Sequence, residues 1–522
     1  MISTQDLDTL DAQQMRAMLA RLQAEVQDKQ VLIERQAREM AFKQATIDKL
    51  THENAVLKRL KFAAQSERFN AEQRDLLDET LDADLEAVSR EIAALQPAEP
   101  ASEQKRQPKR APLPAALPRR EVRHEPENTL CACGCQMKRI GEDIAEKLDY
   151  VPGVFTVERH VRGKWACAKC EAIVQAPVAP HVIDKGIPTT GLLAQVLVAK
   201  YADHLPLYRQ EGIYARAGLA IPRSTLAQWI GACGVQLQPL VDAMRSQLLA
   251  QPVLHADETP VAMLDPGAGK THRAYLWTYC STAWSANKLV VFDFAEGRAG
   301  RYPAQFLGHP GDNAWRGSLV CDDYSGYKAL FANGVTEAGC LAHARRKFHE
   351  LWANHQSAVG EQALALFARL YEVEREVADL DDPERRRIRQ DKGKPIADAL
   401  HAWLTAQRQK VPPGSATARA IDYSLGRWAA LTRYLDDPRL PADNNRVENL
   451  IRPIAIGRNN WLFAGSLRAG KRAAAVMSLI HSARMNGHDP YAYLRDVLER
   501  LPTQQASRVD ELLPHRWTPP AT

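Results

Sequence analysis

From about residue 8 to about residue 95 the chain contains neither proline nor glycine, and Leu19, Val26, Ile33, Met40, Ile47 and Asn54 recur at every seventh position between charged residues. A heptad repeat of this kind predicts a coiled-coil seam. The companion row is mixed, with Leu22, Leu50 and Leu57 apolar and Lys29, Gln36 and Lys43 polar, so pairing loosens in its middle. The pattern fits either self-association through this helix or one long solvated helix. In a self-associated coil, Asn54 on the seam favours one register and oligomer state.

Beyond this helix the texture changes. Residues 96–125 hold six prolines and seven Lys or Arg with little apolar periodicity, which predicts an extended basic linker, acting as a tether or as a DNA-binding arm. Residues 126–180 form a compact cysteine-containing module, and 181–250 are helical. Within the latter, LPLYRQEGIYARAGLAIPRSTLAQWIGAC has two apolar-periodic stretches divided by Gly218 and Pro222, with Ser224 placed to cap the second. Such a pair is either a packing hairpin or a DNA-reading helix-turn-helix.

After residue 250 the runs PVLHADETPVAML, YLWTYCS, KLVVFDFA and GSLVCDDYSGY are short, β-branched and aromatic, and bounded by Gly, Pro and Asp, as strands are. Helical patterning returns over 346–430 and again over 431–480, with a helical tail over 481–522. The expected class is a multidomain α/β protein whose strand domain, opening over 251–345, is interrupted by a helical insertion. The basic run ERRRIRQDKGK from Glu384 is expected to be an exposed helix face of that insertion.

Composition narrows the function classes. The 522 residues carry 68 Lys or Arg against 63 Asp or Glu, so a net charge of +5 argues for no nucleic-acid partner by itself, and any basic surface must be local. No apolar run is long enough to span a bilayer and the amino terminus lacks a signal pattern, so a cytoplasmic protein without a membrane partner is expected. In that reducing compartment the clustering of Cys131, Cys133, Cys135, Cys167 and Cys170 favours a structural zinc site over disulfides. Cys167 and Cys170 have C-x-x-C spacing; the first cluster offers three candidates for the other two positions, so four of the five cysteines would bind Zn2+.

Two neighbouring motifs compete for the chemistry. G-A-G-K-T, ending at Lys270 and Thr271, lacks the glycine of a phosphate loop at Leu264 and leads into a strand, so a hairpin turn and no nucleotide cofactor are expected. Carboxylates are the stronger candidates. Asp257 ends the apolar run V-L-H-A, Asp322 and Asp323 follow S-L-V-C, and D-N-N-R-V-E-N-L-I-R-P places Glu448, Asn444, Asn445 and Arg452 on adjoining parts of one helical face. Two strand acids and one helix acid are a set that holds two Mg2+ ions for phosphodiester chemistry.

The runs HADETP, CDDYSGYKAL, GCLAHARRKF, DNNRVENLIRPIAIGRNNWLFAGS and SARMNGHDPYAYLRDVLERLP, with LKRLKFAAQSERF and the cysteine module upstream, resemble bacterial insertion-sequence transposases of the IS66 family over nearly the whole chain. The resemblance implies an RNase H-like catalytic core with a helical insertion, preceded by a leucine-zipper-like coiled coil over 1–95, a zinc-binding module and a helical DNA-binding region. It implies a DDE triad of Asp257, Asp322 and Glu448 using Mg2+ or Mn2+. Asp323 stands where the family commonly has glycine, and Leu130 where it has the first zinc cysteine, leaving Cys131 or Cys135 to substitute. The implied function is binding of the terminal inverted repeats of an insertion sequence, strand cleavage by activated water and strand transfer to target DNA. Lys270, Arg446, Arg452, Arg458, Trp461, Arg468, Lys471 and Arg472 are the expected DNA contacts. Expected partners are DNA, a second copy through the coiled coil, and small accessory proteins of the same element. Alternatives are a nuclease with the same core, and a zinc-and-coiled-coil DNA-binding regulator whose carboxylates are structural.

Overall fold

The computed structural model describes residues 42–58, 71–95, 113–115, 117–151, 153–183, 186–265, 270–311 and 314–520, with scattered positions between 29 and 40. Half of the heptad row (Leu19, Val26, Ile33) and the tip of the G-A-G-K-T hairpin, 266–269, lie outside these residues. The described seam is built within one chain. Helix α1, residues 42–58, buries Leu50 and Leu57 in a cluster with Leu76, Leu81 and Val88 of α2 (Ala71–Leu95), and with Leu264 and Phe463 of the main domain. Asn54, expected on a seam between copies, donates from Nδ2 to Ser89 Oγ at 3.3 Å in the same chain.

The cysteine module is a four-stranded sheet in which β2 (Lys138–Val151) and β3 (Val154–Ala166) form an antiparallel hairpin. Strand β1 (Arg119–His124) runs parallel to β3, and β4 (Ile173–Gln175) pairs with its far end. The linker expected over 96–125 therefore ends early: Arg119–His124 belong to the sheet, because β3 has a free edge whose backbone groups they satisfy.

Three helices follow, α3 (Thr190–Tyr201), α4 (Leu207–Arg216) and α5 (Arg223–Leu249). The anticipated helix-turn-helix is a packing unit. Between Leu226 and Leu237 only Gln228 remains exposed, and a Cβ on Gly231 would lie 2.3 Å from the Ala83 carbonyl of α2. In the first turns of α5, Arg223, Ser224, Thr225 and Gln228 stay open to solvent in whole or in part. The expected Ser224 cap also moves: Pro222 holds the N-cap position, with no side-chain cap.

The central sheet has the order β7-β6-β5-β8-β9. Strands β5 (Val253–Asp265), β6 (Lys270–Ser281) and β7 (Val290–Ala295) are an antiparallel meander, with Asp265 opposite Lys270 as a hairpin across G-A-G-K-T requires. On the other side of β5, the short strands β8 (Ser318–Val320) and β9 (Thr336–Ala338) run parallel to it. Near-continuous burial of Val290, Val291, Phe292 and Phe294 shows this sheet covered on both faces, as its apolar runs require.

The insertion is a separate helical layer with its own core: α6 (Leu341–His355), α7 (Ala358–Glu376), α8 (Lys394–Arg408) and α9 (Ala416–Gly426) pack around Phe348, Phe367, Leu400 and Ile421. The basic run from Glu384 keeps the exposed face expected of it at Arg386, Arg387, Lys392 and Lys394, while two of its arginines turn inward. Arg385 and Arg389 are buried, Arg389 against Glu374 at 2.6 Å and Arg385 over the ring of Trp284, because the carbonyls of Leu380, Pro438 and Leu440 take up their remaining N–H groups. The chain then returns through α10 (Asn445–Trp461) and α11 (Leu467–Met485), the latter lying on β7 so closely that a Cβ on Gly470 would meet Phe294 at 2.2 Å. The expected tail is integral. In α12 (Pro490–Arg500), Tyr493 donates to the Leu512 carbonyl at 2.9 Å, and Trp517 is buried beside it. No helix among the described residues is long and apolar enough to cross a membrane.

Candidate active site

Strand β5 delivers Asp257 at the point where its parallel partner stops. The β5–β8 register ends at His255 opposite Val320, and Asp322 follows two residues later. Asp257 thus lies within β5 two residues past the end of its pairing with β8, and Asp322 stands just beyond the carboxyl end of β8, so both flank the point where the parallel ladder stops.

Helix α10 brings the third acid. Asn444, at its N-cap, donates from Nδ2 to the Ala256 carbonyl at 2.9 Å and accepts from His255 Nδ1 at 2.8 Å, while its backbone N–H points at Cys340 Sγ at 3.1 Å. At the other end Ala464 exchanges backbone bonds with Ala262 and Leu264, at 2.8 and 2.9 Å. The 17-residue helix is about 25 Å long, close to the roughly 23 Å of strand between Ala256 and Met263, so both ends are stapled to one strand. Glu448 falls in the first turn between the two staples.

Burial, and after it the charges of Glu258, Asp322 and Glu448, push the Asp257 carboxyl up to about 8. The acids therefore share one field. Their other contacts separate them. Glu258 accepts from Arg298 at 2.7 Å and from Tyr327 at 2.9 Å, and Asp323 pairs with Lys328 at 2.9 Å and Arg427 at 3.4 Å. Both are consumed by ion pairs. Asp257 and Asp322 accept only local backbone N–H bonds, from Glu258 and Tyr324. Glu448 accepts from Arg346 at 3.1 Å, while its Oε1 is buried without a hydrogen-bond partner, 3.6 Å from His343 Nδ1. An oxygen-rich, under-compensated set of this kind suits a hard divalent cation.

Cys340 and His343 reach Glu448 from the start of α6, with ligand atoms within 4.8 Å of one another. Cys340 N-caps that helix by position and His343 lies on its first turn. In the sequence both fall in the run GCLAHARRKF, where their C-x-x-H spacing is the signal for a structural or a catalytic role. His255 was missed altogether, its only sign being an imidazole inside an apolar strand run.

The expected DNA contacts divide. Arg468 is held by Glu53 at 3.0 Å and by Glu91 of α2. Arg472 is buried against Asp84 at 2.9 Å. These two side chains face the N-terminal helices, and DNA contact is not open to them in this arrangement, because the acidic face of α1 and α2 neutralises them. Arg446 donates to the Ser281 carbonyl at 2.7 Å and Arg458 to that of Pro260 at 2.7 Å, so both stitch α10 to the sheet. Trp461 is half-buried in a cavity between α2 and the main domain. Lys270, Arg452 and Lys471 are exposed.

In the cysteine module, Cys131, Cys133, Cys167 and Cys170 bring their Sγ atoms within 4.8 Å of one another, with Cys133 at 3.7 Å from Cys167 and 3.8 Å from Cys170. Zinc–thiolate bonds of about 2.3 Å in a tetrahedron put sulfurs at about this separation. The turn is set by Gly134 at φ +80°, which donates to the Cys131 carbonyl at 2.8 Å. Cys131 takes the place left by Leu130, and Cys135 stays outside the cluster, its carbonyl accepting from the Cys131 N–H. Backbone N–H groups of Cys170 and Lys169 lower the Cys167 thiol to about 6, favouring the thiolate a zinc ion requires.

Comparisons with known proteins agree with this organisation. Residues 185–472 match the model of the transposase IS66 family, and 478–515 that of the IS66 C-terminal element. Residues 128–171 match the zinc-finger binding domain of transposase IS66, and 49–122 a model described as transposase C of IS166 homeodomain. Among relatives, the uncharacterized protein y4jD of Sinorhizobium fredii is 36% identical over 415 residues, covering 76% of this chain and 80% of the relative. The uncharacterized protein y4qI of the same organism is 38% identical over 410 residues, covering 76% and 75%. The chain belongs to the IS66 family of transposases.

Proposed function

We propose that the protein is a metal-dependent DNA transposase in which Asp257, Asp322 and Glu448 form the catalytic triad on an RNase H-like core. The observation that carries this is the convergence of the three acids, from β5 where its parallel pairing stops, from the end of β8 and from a helix stapled along β5, onto one field that raises Asp257 to about 8. A sheet ordered β7-β6-β5-β8-β9, with an antiparallel meander and two parallel strands, supports the core assignment.

Mg2+ or Mn2+ held by these carboxylates would supply positive charge against the phosphate and lower the pKa of an attacking water. The chain supplies the carboxylates, with Glu258 and Asp323 withheld by their ion pairs. No Ser, Thr or Tyr nucleophile is invoked. The attack of water on phosphorus breaks the P–O3′ bond, and the freed 3′-hydroxyl then attacks target DNA. Exposed Arg452, Lys471 and Lys270 contact phosphates, and the partner DNA is the inverted-repeat end of the element. Self-association through the N-terminal heptads and recruitment of small accessory proteins belong to the same proposal.

The test is end cleavage by purified protein in Mg2+, read on a labelled duplex carrying the terminal repeat. Asp257→Asn, Asp322→Asn and Glu448→Gln should each abolish cleavage and strand joining. Persistent cleavage by any of the three overturns the triad; a wild type that binds without cleaving points to a regulator, and one that cleaves without joining to a nuclease.

A further inference from the structure

Helices α6 and α7 of the insertion turn a row of cations toward each other beside the third acid. Arg345, Arg346 and His349 recur three and four residues apart on α6, as Tyr371 and Arg375 do on α7, so each set shares one helical face. Together with Asn445 they line an open cavity of about 580 Å³, roughly twenty water volumes. No carboxylate is among the lining residues. Neither Arg345 nor Arg375 forms an ion pair among the described residues, and both are exposed, as are Arg346 and His349. Of the acids beside it, Glu448 pairs with Arg346 at 3.1 Å, and Asp443 is taken up by the Tyr371 hydroxyl at 3.0 Å and by the backbone and side chain of Asn445, at 3.1 and 2.8 Å.

The cavity is continuous with the catalytic acids. Asn445 lies one helical turn before Glu448, and Arg346 both lines the cavity and donates to Glu448 at 3.1 Å. Arg345 and Arg375, facing this space without counter-charges of their own, repel each other and Arg346 unless an anion joins them, and the space exceeds what one phosphate fills. Planar guanidinium groups on two facing helices suit the repeated oxyanions of a phosphodiester backbone.

We infer that the groove between α6 and α7 is a DNA-strand channel, in which Arg345, Arg346, His349 and Arg375 hold the backbone phosphates of the strand leading away from the catalytic acids. This rests on the proposed function for the identity of the strand. The insertion, on this view, is a DNA-binding element.

The experiment measures fluorescence anisotropy of a labelled duplex carrying the terminal repeat, bound to the full chain in EDTA. With NaCl varied from about 50 to about 200 mM, Arg345→Ala/Arg375→Ala should lower affinity about tenfold and reduce the slope of log K against log salt by about 2, one for each lost phosphate contact. Arg345→Lys/Arg375→Lys, which keeps the charges, should retain most of the slope and guards against a folding effect. Wild-type affinity and slope in the alanine pair, the result also expected if the groove takes only free phosphate, overturn the channel, as does an equal loss in the lysine pair. Cleavage by Asp257→Asn in Mg2+ is a separate readout: its persistence sinks the triad and leaves the binding result standing.

Discussion

Asn444 accepts a hydrogen bond from His255 Nδ1 at 2.8 Å and in the same orientation donates to the backbone beside it, at Ala256. One buried amide thus joins the helix of the third acid to the strand of the first. Burial holds His255 down to about 4, so the imidazole is neutral and its Nδ1–H is the donor that the amide oxygen needs. Asn444→Ala leaves that N–H and the Ala256 carbonyl unpaired and should cost about 1–3 kcal/mol in urea unfolding. Cleavage should fall by more than the loss of folded protein accounts for, since Glu448 loses its register against Asp257; activity that tracks only the folded fraction would sink this role.

The N-terminal helices are attached through buried charge. Asp84 is fully buried, pairs with Arg472 at 2.9 Å and accepts from Ser466. Asp84→Ala strands a buried guanidinium and should destabilise the docking of α2 by about 3–5 kcal/mol. Limited proteolysis should then release the segment before residue 95 faster than in the wild type; an unchanged digestion pattern would contradict the docking.

Zinc content separates the cysteines. Cys131→Ser, Cys133→Ser, Cys167→Ser and Cys170→Ser should each lose bound zinc, measured by atomic emission on the purified chain, while Cys135→Ser retains it. A zinc-free Cys135→Ser protein would reassign the ligand set.

Acid stability should report His481. Burial lowers it to about 4 from an ordinary 6.5, against the ring of Phe292 at 5.3 Å. Between those values the unfolded chain binds a proton that the folded chain refuses. Stability is therefore complete above about 6.5 and declines as pH falls toward about 4, with a slope approaching about 1.4 kcal/mol per pH unit from this one group. His481→Phe should reduce the pH slope of urea midpoints across that window by this one group's share, His255 keeping its own; an unchanged slope would place the dependence elsewhere.

Much of this protein is local in origin. Alternating and continuous apolar runs specified β5, β6 and β7, the two clusters of cysteines marked a zinc module, and acids after buried strands or at an Asn-rich helix start marked Asp257, Asp322, Asp323 and Glu448 as candidates, among which the family resemblance implied Asp257, Asp322 and Glu448. Lys270 at the base of a hairpin was equally legible, since strand patterning flanks G-A-G-K-T on both sides.

What the sequence by itself did not determine is which charges meet. Arg385 and Arg389, within a run whose other basic residues are exposed, turn inward, Arg468 and Arg472 face acids nearly 400 residues upstream, and the middle of α5 packs against α2. Charge type and helical spacing are local properties. Whether a cation is solvated, paired or left facing an open groove depends on chain segments far away in sequence, and only the tertiary arrangement brings those segments to it. The same reason selected Cys131 over Cys135: both sit one residue from Cys133 in reach of zinc, and the turn at Gly134 aims only one of them at Cys167 and Cys170.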